Sequence, residues 1–445
     1  MHLFSKFLVV LLTLLVATGI EAQRLDDVLA TSTTATFTAA SLSPDGQRMY
    51  TDRRKHIAER RTELLNQMIA KAVLDLEARA LNTSTEKLIA AQRAKVPEPT
   101  AQEIQKVYAA NSATLGGRRL EEVREQIEEY IHHGAEEKLL AAYMQSLRAK
   151  YKVLPGKDVN SVGLAATDVV ATIGSTTITA SEYEKANRVA LNDTEIEISE
   201  GILRDLEIAM LTVLAAEEAK SRNLDMGAFI AAEITDKLKL YTDEERAEVE
   251  SALMKRLFAK YNAKILFRSS EPIVQNILVE SDDPQIGPAS APVTVVMFTD
   301  LQCPACARTH PILKQVLSEY GSKVRFVVRD FPLEGIHANA VDAARAANAA
   351  RAQGKFFEYA EILYRNQEAL DRPSLIKYAA ELGLNAKQFE LDFNDAKAQS
   401  EVKKDQADAR SYGVSSTPTI FVNGVKVQRF SAEGFRRAID RALSK

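Results

Sequence analysis

The sequence predicts an α/β domain with a helical insertion at the C-terminal end, preceded by a mainly α-helical duplicated region. Three observations carry that prediction. Beyond about residue 286, apolar strands and amphipathic helices alternate and end in a hairpin with an Asn-Gly turn. The only two cysteines of the 445-residue chain, Cys303 and Cys306, stand where the first of those strands gives way to a helix. Upstream, short β-type segments followed by helices recur at one constant offset.

At the N-terminus, Lys6 precedes an apolar stretch from Phe7 to Ile20, and Glu21-Ala22 leads into polar Gln23-Arg24. This is the pattern of a secretory signal peptide over residues 1–22. The stretch is shorter than the ~20 residues that span a bilayer, and a retained amphipathic anchor is the other reading. Export places the protein in the periplasm or another oxidising compartment, soluble after signal cleavage, where a thiol pair persists as a disulfide. A net charge of -4 with a pI near 6.0 offers no polybasic surface, so neither nucleic acid nor anionic lipid is expected as a partner.

The duplication runs over the first two thirds. Asp27-Val28-Leu29-Ala30-Thr31 matches Asp168-Val169-Val170-Ala171-Thr172, an offset of 141 residues. The same offset aligns Glu77-Ala78-Arg79 with Glu218-Ala219-Lys220, and Asn82 with Asn223. Further on, Ala149-Lys150-Tyr151 matches Ala259-Lys260-Tyr261 at an offset of 110, so the second copy is 31 residues shorter. Apolar residues at helical spacing, such as Leu64, Met68, Ile69, Val73 and Leu76, predict amphipathic helices that pack on one another. The charged runs, Glu121, Glu122, Arg124 and Glu125 among them, predict solvated faces. The resulting division is a first repeat over 23–160, a second over 161–268, a proline-bearing linker over 269–285 and a final domain over 286–445.

In that final domain Val293 to Phe298 reads as a strand, followed by the cysteine-bearing helix to Tyr320 with Gly321 as its stop. Lys323 to Arg329 is a second strand, consistent with a right-handed βαβ unit. Helices fill His337 to Arg410, punctuated at Gly354, at Asp371-Arg372-Pro373 and at Gly383-Leu384-Asn385. The hairpin runs from Thr419-Ile420-Phe421-Val422 through Asn423-Gly424 to Val425-Lys426-Val427, and Glu433 to Leu443 closes the chain as a helix. Ile273 to Val279 reads as a short edge strand of the same domain.

A C-x-x-C at a helix start makes one thiol acidic, because helix-terminal N–H groups favour an anion there. Two other readings compete. A purely structural disulfide closing four residues would contribute about 1.9 kcal/mol, among the smallest stabilisations such a bond gives. Half of a zinc site would need two more ligands, and the six histidines form no such cluster, so no bound metal is expected. Redox chemistry is the reading these comparisons favour.

The strand, Phe298-Thr299-Asp300-Leu301-Gln302-Cys303-Pro304-Ala305-Cys306, Gly354-Lys355-Phe356-Phe357-Glu358 and Gly413-Val414-Ser415-Ser416-Thr417-Pro418-Thr419 together resemble the DsbA-like thiol-disulfide oxidoreductases, over about residues 280 to 445. The resemblance implies a thioredoxin-like fold with a helical insertion. It implies Cys303 as the exposed attacking thiol and Cys306 as its buried resolving partner. No cofactor is implied beyond the redox-active disulfide Cys303–Cys306. Thr417 and Pro418 resemble the family's cis-proline loop, which pairs with an extended client; an ordinary proline at the start of a strand is the alternative. Two departures stand out: Met297 occupies a position where some relatives carry a buried acid, and Pro304-Ala305 lacks the histidine of the most oxidising relatives. Asp300 reads as a residue that caps or orients the turn, and His310 and His337 as surface or packing residues.

The segments Leu64-Leu65-Asn66-Gln67-Met68-Ile69-Ala70 and Leu120-Glu121-Glu122-Val123-Arg124-Glu125-Gln126-Ile127 resemble the helical module of periplasmic SurA-type chaperones, which cradle non-native chains. The combined expectation is an exported enzyme, a protein thiol-disulfide oxidoreductase, that exchanges its disulfide with client thiols while its N-terminal half binds non-native clients. Its implied partners are unfolded or reduced exported proteins and a quinone-linked membrane thiol oxidase that resets the pair. The alternatives are a disulfide reductase or isomerase, and a holdase chaperone with incidental cysteines.

Overall fold

The computed structural model describes residues 23–444, so the expected signal peptide over 1–22 lies outside the described residues. The strands are β1 (Val28–Thr31), β2 (Thr36–Thr38), β3 (Val153–Pro155), β4 (Val169–Ile173), β5 (Thr176–Thr179), β6 (Lys264–Ile265), β7 (Gln285–Ile286), β8 (Val293–Thr299), β9 (Val324–Asp330), β10 (Thr419–Val422) and β11 (Val425–Lys426). Helices occupy most of the remainder. Among the described residues none is long and apolar enough to cross a membrane.

Two compact units divide the chain: one holds the described residues up to Arg53 together with Ile198–Arg268, the other Arg54–Glu197 together with Ser269 onward. The division does not follow chain order, and the sheets show why. In the first unit the hairpin β1–β2 is closed by β6, with Ala30 opposite Ile265. In the second, the hairpin β4–β5 is closed by β3, with Leu154 opposite Thr172. Each hairpin of one copy is therefore completed by the closing strand of the other. Leu29, Phe37, Tyr50, Ile202 and Leu206 form the core of the first sheet, and Leu64, Val73, Leu147, Val170 and Tyr183 that of the second.

Duplicated positions make duplicated interactions. Glu77 accepts hydrogen bonds from Lys150 and, at 2.7 Å, from the Tyr151 hydroxyl. Glu218, its counterpart at the 141-residue offset, accepts from Lys260 and, at 3.0 Å, from Tyr261. Asn82 and Asn223 both adopt positive φ, 49° and 57°. Each ends a helix with the next N–H reaching back to a carbonyl of the last turn, Thr83 to Ala78 and Leu224 to Ala219.

The C-terminal sheet has the order β11-β10-β8-β9-β7, with β8 and β9 parallel and the other pairs antiparallel. Both faces of β8 are buried, as a central strand requires. Val293, Val295 and Met297 enter the larger core with Leu313, Tyr359, Phe389 and Phe435. Val296 and Phe298 enter a second core with Val327, Phe331 and Phe421. Between β9 and β10 lie five helices: Ala340–Ala352, Phe356–Arg365, Arg372–Glu381, Ala386–Asn394 and Ala396–Ser411. Their breaks fall at Gly354 and Gly383, both at positive φ, and at the N-caps Asp371 and Asn385.

One expectation is corrected. Ile273 to Val279 forms no strand; Ile277 and Val279 pack on the second core, and Gln275 N–H reaches the Gly424 carbonyl as an isolated bond of 2.8 Å. The β9 edge is taken instead by Gln285–Ile286.

Candidate active site

Strand β8 ends at Thr299, and the turn Asp300-Leu301-Gln302 delivers Cys303 to the N-cap of the helix Pro304–Tyr320. Pro304 at the first helical position suits a φ fixed near −65° and a missing N–H that would have no helical partner. Asp300, almost fully buried, holds the turn: Oδ1 accepts from Gln302 N–H at 2.7 Å and Oδ2 from Leu333 N–H at 2.8 Å. His337 Nδ1 lies 2.7 Å from the same Oδ2. His337, half-buried, packs here against the turn that carries the cysteines and is tied to it through Asp300. His310 is a packing residue, its ring centroid 5.0 Å from that of Tyr364.

Cys303 is 6 % exposed and Cys306 0 %. The expected exposed Cys303 is corrected: the residue is buried, with its Sγ 3.5 Å from the Thr417 carbonyl oxygen. Gln367, just beyond the second inserted helix, donates to the Cys303 carbonyl at 2.9 Å and to that of Leu301 at 3.3 Å. The order of accessibility between the two sulfurs is nevertheless the one expected. The Thr417–Pro418 peptide bond is cis.

The two thiols differ sharply in acidity. A hydrogen bond from the Cys306 thiol is the largest influence on Cys303; burial opposes it, while the Thr417 side chain and the first-turn N–H groups of Ala305 and Cys306 add to it. Together they bring Cys303 down to about 5. Burial and the bond to Cys303 push Cys306 far above the usual thiol range, against a smaller opposing pull from Thr299. One sulfur is therefore an anion at neutral pH and its neighbour holds a proton. That asymmetry suits nucleophilic exchange at Cys303.

Met297 is fully buried in the apolar cluster that also holds Cys303 and Cys306, so β8 brings no carboxylate to the pair. Sequence reasoning missed Gln367, Thr299 and Tyr364. Thr299 sits four residues before Cys303, a position with no acid–base character, and the other two reach the site only through the fold of the insertion.

A family model described as thioredoxin matches residues 280–441. Residues 280–441 form a thioredoxin-like domain. Curated proteins similar to this chain include ones named Na(+)/H(+) antiporter NhaA: one from Mycolicibacterium vanbaalenii is 37% identical over 161 residues, 35% of this chain and 26% of that protein. Another, from Salinispora tropica, is 37% identical over 174 residues, 39% of this chain and 26% of that protein. The chain spans about a quarter of the length of these relatives. Among solved structures, a thioredoxin-like oxidoreductase from Silicibacter pomeroyi is 28% identical, covering 37% of this chain and 95% of its own, with a TM-score of 0.35. BdbD from Bacillus subtilis is 22% identical, covering 40% of this chain and 100% of its own, also at 0.35. The thioredoxin match occupies the last third or so of the chain.

Proposed function

We propose that the chain is an exported thiol-disulfide oxidoreductase that oxidises client proteins through Cys303 and Cys306. The observation that carries the reading is the pairing of an acidic sulfur at a helix start with a buried, protonated sulfur one turn behind it. With the pair oxidised, a client thiolate attacks Cys303 Sγ; the Cys303–Cys306 bond breaks and Cys306 leaves with the electron pair. A second client thiolate attacks the client sulfur of the mixed disulfide, and Cys303 leaves as a thiolate. The client loses two electrons to the pair, one proton settles on Cys306, and the other goes to solvent because Cys303 stays ionised at neutral pH. An acidic leaving thiol favours the reduced form of the pair, which is what makes it an oxidant. Thr417 and Pro418 offer the backbone beside which an extended client would lie, and Ile336, 74 % exposed on the loop tied to Asp300, offers it an apolar contact.

The partner that resets the pair is read as a quinone-linked membrane thiol oxidase, and the N-terminal half as a binder of non-native clients. Support for the latter comes from a cleft of about 910 Å³ where apolar Val159, Leu164 and Ala180 stand beside Arg61, Lys185 and Arg188.

The test is capture. With Cys306→Ala, clients are expected to accumulate as adducts on Cys303, visible on non-reducing gels of the exported fraction and lost with Cys303→Ser. Absence of any adduct overturns the reading. A reductase or isomerase would instead rest fully reduced in that compartment, and a holdase would suppress aggregation equally well with Cys303→Ser.

A further inference from the structure

Oxidation of a client through this pair needs more than an acidic Cys303. Each passage requires a negative charge to form or vanish on Cys306, the fully buried sulfur, in an apolar cluster with Met297 and Leu313. A thiolate formed there without a donor would bear the full penalty of desolvation.

The surroundings of Cys306 provide one polar side-chain route. The Thr299 hydroxyl, at the end of β8, and after it the Asp300 backbone N–H are the groups whose hydrogen bonding favours charge on Cys306. Thr299 Oγ1 is in turn 2.6 Å from the Tyr364 hydroxyl. A threonine hydroxyl has a single proton. When that proton is given to Cys306, the 2.6 Å contact needs Tyr364 as its donor. Burial raises the Tyr364 phenol well above its ordinary value, so it keeps its proton throughout the range in which Cys303 titrates.

We propose that Tyr364 is a positioning residue for the exchange reaction: its hydroxyl donates to Thr299 and so directs the Thr299 proton at the Cys306 sulfur as charge develops there. The inference rests on the exchange chemistry proposed above. The helix Phe356–Arg365 fixes the phenol through Phe356, Tyr359 and Leu363, all buried in the larger core, and the His310 ring packs against it. In the oxidising direction the hydroxyl pair receives Cys306 as it leaves with the electron pair of the broken disulfide. In reverse it steadies Cys306 as it attacks Cys303, with the departing sulfur taking the electrons. The Cys306 proton is released to solvent or to the departing thiol, and neither hydroxyl is ionised.

The experiment isolates Cys306 from any client. The full chain is loaded on Cys303 with 2-nitro-5-thiobenzoate as a mixed disulfide, and the coloured thiolate is released only when Cys306 attacks. Tyr364→Phe keeps the ring and removes the donor; it is expected to slow release about fivefold, the effect of losing one hydrogen bond between neutral groups. It should also move the rise of rate with pH to higher pH. Thr299→Val should do the same and Thr299→Ser should restore the rate. The other titratable groups facing Tyr364 or Cys306, namely Cys303, Asp300, Asp330 and His310, are unchanged in these variants. A Tyr364→Phe protein with a wild-type unfolding midpoint that releases the dye within twofold of wild type, on the same pH profile, overturns the inference. Failure of the wild type itself to release the dye would instead overturn the exchange reading.

Discussion

Cys303 Sγ faces the backbone carbonyl oxygen of Thr417 across 3.5 Å, although 114 residues separate the two in the chain. The ionised form of that sulfur is favoured by the Cys306 thiol first, then by the Thr417 side chain and the N–H groups of the helix start, and the carbonyl contact is the one the protonated thiol makes. Its folded value, about 5, lies well below the ordinary thiol range. A group depressed in this way adds stability that is fully present above its unfolded value and is lost as pH falls through the folded one. The reduced wild type should therefore lose stability relative to Cys303→Ser as pH is lowered from about 9 to about 5. Urea unfolding with a phosphine reductant measures this, and a pH-independent difference would contradict it.

Cys306→Ala removes the largest influence on Cys303, the hydrogen bond from the Cys306 thiol. The Cys303 midpoint is expected to rise, and its rate of alkylation at pH 6 to fall below that of the reduced wild type. An unchanged pH profile would show that the helix start and Thr417 suffice.

Arg329 is fully buried at the end of β9, where its guanidinium reaches Asp408 at 2.8 Å and also Asp405. Arg329→Leu leaves those carboxylates without their counter-charge and should cost about 3–5 kcal/mol, read by denaturant unfolding. Next to it Asp330 accepts from Asn348 at 2.6 Å. Burial, then the charge of Asp405, pushes its carboxyl up to about 8. A raised carboxyl gives stability that is present below its unfolded value and lost as pH rises through the folded one. The stability of Asp330→Asn relative to wild type should accordingly grow from about pH 4 to about pH 8 and then level off. A difference that shrinks with pH would refute the assignment.

Glu77 and Glu218 occupy equivalent places in the two copies, each receiving a lysine and a tyrosine. Alanine at either should lower the thermal midpoint, and the lowering at Glu77 should shrink when Tyr151→Phe is already present. Additive effects in that double-mutant cycle would show that the shared hydrogen bond contributes nothing.

How much of this was legible in the sequence depends on distance along the chain. Strand β8, the helix start at Pro304 and the stop at Gly321 follow from adjacent residues, and the breaks of the insertion follow from Gly354, Asp371 and Gly383. Repeat offsets made the duplication readable from matched residues. They could not reveal that the closing strands are exchanged, because β3 and β6 are three and two residues long and carry no register of their own. The specific partner of His337 was not readable because Asp300 is 37 residues away. Tyr364 and Gln367 were invisible for the same reason: their roles come from where the insertion folds back onto the thiols.

The most direct test of the account is the ionisation of Cys303 itself. Thiolate absorbance of the reduced protein, followed against pH and compared with Cys303→Ser, should show one transition with a midpoint near 5. A midpoint near 8.5, that of an ordinary free thiol, would contradict it.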